Sequence, residues 1–245
     1  MPLNHFILFY KTEIPITLTL NLQTFKTRTL SAVVFVVVML TGLLLNNWSF
    51  FILFTIIHFG CWYELVKLMN RINNRKYLLY SLVGLLYISL PVLMLINLQQ
   101  SGNVYKGNLL FAAFGKIYPC IIIFSIWIND TMAYIVGSLI GRTPFSPISP
   151  KKTWEGTIGG IILCVAAISL IAYASGTLPV RHAASIALLC GIFGTAGDLL
   201  ESKIKRVAQV KDSGSILPGH GGFLDRFDSL LIATPFVWLY IKLLL

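Results

Sequence analysis

Long apolar runs separated by short polar ones organise the chain. They occupy 30–45, 48–66, 77–97, 109–140, 156–174, 183–197 and 227–245. Most approach or reach the ~20 apolar residues that a helix needs to cross a bilayer. The polar intervals are a turn at Asn46-Asn47, a basic loop at 67–76, a stretch at 99–108, a loop with three prolines at 141–155 and a longer stretch at 201–222. Pro91 is expected to kink the third run. The run 109–140 is too long for one straight crossing and carries Asn129-Asp130 inside it. The pattern predicts an all-α integral membrane protein, a polytopic helical bundle of about seven to nine transmembrane helices, some broken.

Composition excludes the soluble alternative. Of the 245 residues 56% are hydrophobic and 11% charged, against about 25% charged in an average soluble domain. Mean hydropathy is +0.80. The four cysteines stand far apart in apolar runs, without metal-type spacing, and read as buried small hydrophobes. The start of the chain lacks the pattern of a cleaved signal, because Lys26 and Arg28 directly precede the first apolar run, so that run reads as a retained span.

Charge then sets orientation. Lys and Arg number 19 against 9 Asp and Glu, a net +10. In a membrane protein this excess reads as basic cytoplasmic loops rather than a nucleic-acid surface. If 109–140 crosses once, the N-terminal segment and the loops 67–76, 141–156 and 200–226 share a side and hold 15 of the 19 basic residues. That side is expected to be the cytoplasm, with an odd number of crossings, seven by this reading. The expected divisions are an N-terminal cytoplasmic segment at 1–28, N-terminal transmembrane helices at 29–127 and a catalytic membrane region at 128–245.

The acids are scarce and localised. Seven of the nine lie between Asp130 and Asp228. If the helix through 183–197 continues, Asp198, Glu201, Ser202 and Lys205 share one face at i, i+3, i+4 and i+7. Glycines and a proline follow at Gly214, Pro218, Gly219, Gly221 and Gly222, around His220. Such turns can aim backbone N–H groups into a nest that binds phosphate. Lys205, Arg206 and Lys211 could partner phosphate oxygens. Asp198 and Asp225 end and begin adjacent spans, so they can meet around a hard cation such as Mg²⁺. The stretch Gly137 to Thr143 is one residue short of a phosphate loop and has Arg142 where lysine belongs, so it is rejected. Ala133, Gly137 and Gly141, with Gly156 and Gly160, read as close helix contacts.

The string Ser202-x-x-Lys205-Arg206-x4-Lys211-Asp212-x-Gly214-x3-Pro218-x-His220-Gly221-Gly222-x2-Asp225-Arg226-x-Asp228 resembles, over 27 positions and without departure, the signature of the phosphatidate cytidylyltransferases, or CDP-diacylglycerol synthases. A second block agrees, with Asn129-Asp130-Thr131-x-Ala133-Tyr134 and Ser149-Pro150-Lys151-Lys152-Thr153-Trp154-Glu155-Gly156. The resemblance is strong from about 128 to 229 and generic before that. It implies an inner-membrane enzyme that condenses CTP with phosphatidic acid, a Mg²⁺ dependence, a second site for K⁺ and a homodimer. It makes Asp198, Asp225, Lys211, Asp212 and His220 the expected catalytic set, with Asp198 and Asp225 on the metal. Asn129, Asp130, Lys151, Lys152, Ser202, Lys205, Arg206, Gly221, Gly222 and Arg226 are the expected substrate contacts, Asn129 and Asp130 from a broken helix. The nearest rival is a CTP-dependent lipid kinase of the polyprenol or phytol type. A transporter would place its acids mid-span rather than at span ends, and the intact acid and glycine set argues against an inert scaffold.

Overall fold

The computed structural model describes residues 22–101, 117–216 and 221–245, and there the helices follow the apolar runs. In chain order they are α1 (Leu22–Leu44), α2 (Asn47–Ile72), α3 (Tyr77–Ser81), a π-helical turn (Leu85–Ser89), α4 (Leu90–Ser101) and α5 (Ile117–Ile140). A hairpin follows, β1 (Pro144–Ser146) and β2 (Ser149–Thr153), then α6 (Trp154–Ser175), α7 (Val180–Val207) and α8 (Leu224–Leu244). Among the described residues six helical segments are long and apolar enough to cross a membrane, and α1 adds the shorter apolar stretch Thr29–Leu44. The chain is thus a polytopic helical membrane protein.

Local chemistry explains where the helices turn or change pitch. Between α1 and α2, Asn46 and Ser49 form a capping box: the Asn46 side chain accepts from the Ser49 N–H at 2.7 Å, and the Ser49 hydroxyl accepts from the Asn46 N–H at 3.0 Å. The third segment does not simply kink at Pro91. Proline lacks the N–H that would bond back one turn, and the ladder widens ahead of it, with the Leu90 N–H donating to the Leu85 carbonyl five residues back.

Two expectations are corrected here. Asn129 and Asp130 do not interrupt a helix, because α5 runs unbroken from Ile117 to Ile140. The side-chain hydroxyl of Thr131 donates to the Trp127 carbonyl at 2.7 Å, so this polar stretch turns its hydrogen bonds inward along the helix. The proline-bearing loop is also more ordered than expected. It folds as an antiparallel hairpin, clasped by the Glu155 carboxylate, which accepts from the Thr143 hydroxyl at 2.8 Å and from the N–H groups of Arg142 and Thr143 at 3.2 Å.

Small residues bring the helices together, as their spacing suggests. At Gly160 an added Cβ would meet the backbone and Cβ of Ala133, so α5 and α6 touch along a glycine-alanine seam. At Gly197 it would meet the Asp228 carbonyl, so α7 and α8 approach closely beside Asp198. The bundle has two distinct ends. At one, Glu64 near the end of α2 bonds the start of α8, and Lys152 of β2 bonds Asp198 of α7. At the other, Trp238 of α8 donates to Asn97 of α4 at 3.0 Å. These contacts bring the C-terminal part of α2, the hairpin and the start of α8 to one end of the bundle.

Candidate active site

The helix α7 continues well past Asp198, to Val207, so the predicted stripe exists. Asp198 and Glu201 from α7 meet Asp228 from α8, with ligand oxygens within 4.8 Å of one another. Glu201 is 0% exposed and Asp228 is 7%. Two carboxylates at that separation repel by about 3.5 kcal/mol at an effective dielectric of about 20. Three such pairs would consume most of a domain's ~5–15 kcal/mol of stability, so the group needs cations.

Two ammonium groups are built in. Lys152 pairs with Asp198. Lys205 sits 2.5 Å from a Glu201 oxygen and 2.6 Å from Asp225 Oδ1. Asp198, Glu201, Asp225 and Asp228 carry four formal negative charges, and two ammonium groups pair directly with them. One Glu201 oxygen, Oε1, is buried without a hydrogen-bond partner. All-oxygen ligands, close grouping and an excess of carboxylates over ammonium groups fit a hard divalent cation.

The expected pairing of Asp198 with Asp225 is not the grouping seen among the described residues. Asp225 is engaged elsewhere. Its Oδ2 accepts from the Gly222 N–H at 2.8 Å and the Ser213 N–H at 2.9 Å, while its Oδ1 takes Lys205. The i, i+3 spacing of Asp225 and Asp228 did mark both. Choosing between them required knowing which side of α8 meets α7.

Beside the triad lies a cavity of about 500 Å³ between α5, the hairpin, α6 and α7. Asn129 and Asp130 line it, as expected, with Lys151, Lys152, Thr157, Thr195 and Asp198. Asn129 is 3% exposed and its Oδ1 has no hydrogen-bond partner. Its amide donates to Asp130 at 3.4 Å. Asp198 belongs to both the cavity wall and the triad.

Other expected contacts fall differently. Lys205 is committed to two carboxylates and is no free phosphate partner. The Ser202 hydroxyl donates to Asp198 at 3.3 Å and thus serves the triad. Arg206 donates to the Val210 carbonyl at 3.3 Å and tightens the end of α7. Lys211 and Asp212 are exposed at the start of the loop, and among the described residues no ion pair ties them to the triad. Arg226 is exposed on the first turn of α8. Gly221 adopts φ 85°, a left-handed turn that suits glycine. His220, with Pro218 and Gly219, lies outside the described residues.

The expected phosphate nest lies partly outside the described residues, at Pro218, Gly219 and His220, and the described N–H groups beside it are already engaged. The N–H groups of Ser213 and Gly222 answer to Asp225, and those of Phe223 and Leu224 answer to Glu64. These donors serve the protein's own carboxylates. Glu64 was not anticipated. It lies in an apolar run, with no other acid between Glu13 and Asp130, and nothing local to α2 marks it as partner of Ser213, 149 residues away.

The model of the cytidylyltransferase family matches residues 109–244, more than half of the chain. A phosphatidate cytidylyltransferase of Bacillus subtilis is 41% identical over 149 residues, 60% of this chain and 51% of that protein. Phosphatidate cytidylyltransferase 4, chloroplastic, of Arabidopsis thaliana is 47% identical over 116 residues, 46% of this chain and 29% of the relative. A phosphatidate cytidylyltransferase of Staphylococcus haemolyticus is 46% identical over 112 residues, 45% of this chain and 43% of the relative. The chain therefore spans about half, or less, of the length of these relatives. The match takes in α5, the hairpin, α6, α7 and α8, and with them the cavity and the carboxylate triad: the chain belongs to the cytidylyltransferase family.

Proposed function

We propose that the chain is a CTP:phosphatidate cytidylyltransferase, making CDP-diacylglycerol and pyrophosphate at the cytoplasmic face of a cell's inner membrane. The observation that carries this reading is the double membership of Asp198. It joins a cavity walled by two lysines to a close group of three carboxylates. A triphosphate needs both, cations along its oxygens and a metal at one end. The names of the relatives support the same substrates.

In this reading a phosphatidate oxygen attacks the α-phosphorus of CTP. The new O–P bond forms as the bond to the β-phosphate oxygen breaks, and pyrophosphate leaves. Lys151 and Lys152 neutralise charge on the phosphates from the hairpin side. Lys152 lines the cavity as well as pairing with Asp198, so its ammonium stands between the cavity and the triad. Asn129 Oδ1 offers a buried acceptor to a nucleoside donor such as a ribose hydroxyl. Asp198, Glu201 and Asp228 would hold Mg²⁺, which supplies charge neutralisation for phosphoryl oxygens when bound. The lipid's acyl chains remain in the bilayer beside α5 and α6, which carry exposed Leu139, Ile158 and Ile162.

Two experiments test the reading. Purified protein with phosphatidic acid vesicles is given CTP labelled at the α- or the γ-phosphate. Label from the α position enters the lipid and label from the γ position leaves as pyrophosphate. Entry of γ label into the lipid would make the protein a lipid kinase. Orientation is tested with single cysteines at Asn74, Pro150 and Ser215, all exposed, in a background without the native cysteines. A membrane-impermeant maleimide should label none of them on intact cells and all of them after lysis. Labelling of Pro150→Cys or Ser215→Cys before lysis would overturn a cytoplasmic active site.

A further inference from the structure

Glu64 lies in α2, ahead of the residues 109–244 that carry the family match. It is 1% exposed. An ionisable group deep in an apolar helix is unfavourable unless its lone pairs are filled, and here they are. Oε1 accepts from the Phe223 N–H at 2.9 Å. Oε2 accepts from the Leu224 N–H at 2.8 Å and lies 2.6 Å from the Ser213 hydroxyl. That hydroxyl is also 3.0 Å from Asp225 Oδ2. It has one proton, so the shorter bond to Glu64 takes it.

The surrounding glycines follow from this carboxylate. A Cβ at Gly214 or at Gly222 would run into the Glu64 carboxylate. Among the described glycines only Gly176 and Gly221 have positive φ. Gly222 is therefore needed for the room it leaves to Glu64 rather than for its conformation. One turn earlier in α2, a Cβ at Gly60 would meet the ring of Phe223. Gly60 and Glu64 thus form one face that receives the entry to α8.

We propose that Glu64 is a positioning residue for the transfer reaction. It ties Ser213, within the segment that follows α7, to Phe223 and Leu224 at the start of α8. This fixes the first turn of α8, which carries Asp225, and sets Asp228 in place one turn on. The N-terminal half is then part of the catalytic apparatus rather than a membrane anchor. The proposal rests on the reading of the site as a cytidylyl-transfer centre.

The test uses full-length protein and α-labelled CTP. Glu64→Gln keeps the size but turns an NH₂ toward groups that themselves donate. It is expected to lower kcat on the order of 10²-fold, as ~1 Å misplacement of a catalytic group does, with KM for CTP little changed because the lysines of the hairpin are untouched. Gly222→Ala is expected to be comparably impaired. In a Glu64→Ala background Gly222→Ala should add little further loss, since the obstructing carboxylate is gone. Wild-type kcat in Glu64→Gln overturns the proposal, and so do losses that multiply in the double variant. If a variant cannot be purified in active form, the same cycle is read from thermal denaturation in detergent, where additive effects are again contrary. Failure of the wild-type protein to transfer α label would overturn the functional reading instead, and the denaturation cycle would still decide the tie.

Discussion

Asp228→Asn lowers cytidylyl transfer on the order of 10³-fold or more while the helices still insert and pack. Asp228 is buried against α7, where Gly197 lets the two backbones meet, and its carboxylate faces Asp198 and Glu201. Asparagine preserves the shape and removes one of the charges that would hold Mg²⁺. A metal contributes several kcal/mol of charge stabilisation to phosphoryl chemistry, and each ~1.4 kcal/mol is about a factor of ten in rate. Asp198→Asn is expected to behave alike. The Mg²⁺ concentration for half-maximal activity should rise in both. Asp225→Asn should lower turnover without that rise, because its oxygens are engaged by Lys205, Ser213 and Gly222. A Mg²⁺ titration of the three variants checks this. An equal rise for Asp225→Asn would restore the pair Asp198 and Asp225 as the metal ligands.

Lys205→Met destabilises the folded protein by about 3–5 kcal/mol, the usual result of removing one partner from a buried ion pair. Lys205 is 12% exposed and its partners, Glu201 and Asp225, are 0% and 9%. Methionine fills the same space and leaves both carboxylates without their shared cation, next to Asp198 and Asp228. The loss is measured by denaturation in detergent micelles. Added Mg²⁺ should recover part of it, because a ligand that binds only the folded state stabilises that state. Lys203→Met, exposed on the other side of α7, should change stability little. Equal effects in the two variants would show that Lys205 is a solvated charge rather than the counter-ion of the site.

The run of apolar residues determined the helical membrane architecture, because backbone groups in lipid must bond within their own segment. Helical periodicity placed Asp198, Glu201, Ser202 and Lys205 on one face, and α7 does present them together. The glycine spacing marked the close contacts of α5 with α6. The second motif block marked the cavity walls at Asn129, Asp130, Lys151 and Lys152. All of these depend on neighbours within one helix or one loop, which spacing records directly.

The tertiary structure decided the rest. Asp225 and Asp228 are equally acidic and one turn apart, and only the packing of α8 against α7 puts Asp228 with the triad and Asp225 with Lys205 and the loop. The N–H groups of Ser213, Gly222, Phe223 and Leu224 are taken by Asp225 and Glu64, which only the fold delivers to them. Whether an N–H is free or taken depends on what another part of the chain brings to it. Glu64 itself is a lone acid in an apolar helix, silent in its local pattern. Its role arises from a contact across 160 residues to Leu224, and no periodicity within α2 encodes a partner at that distance.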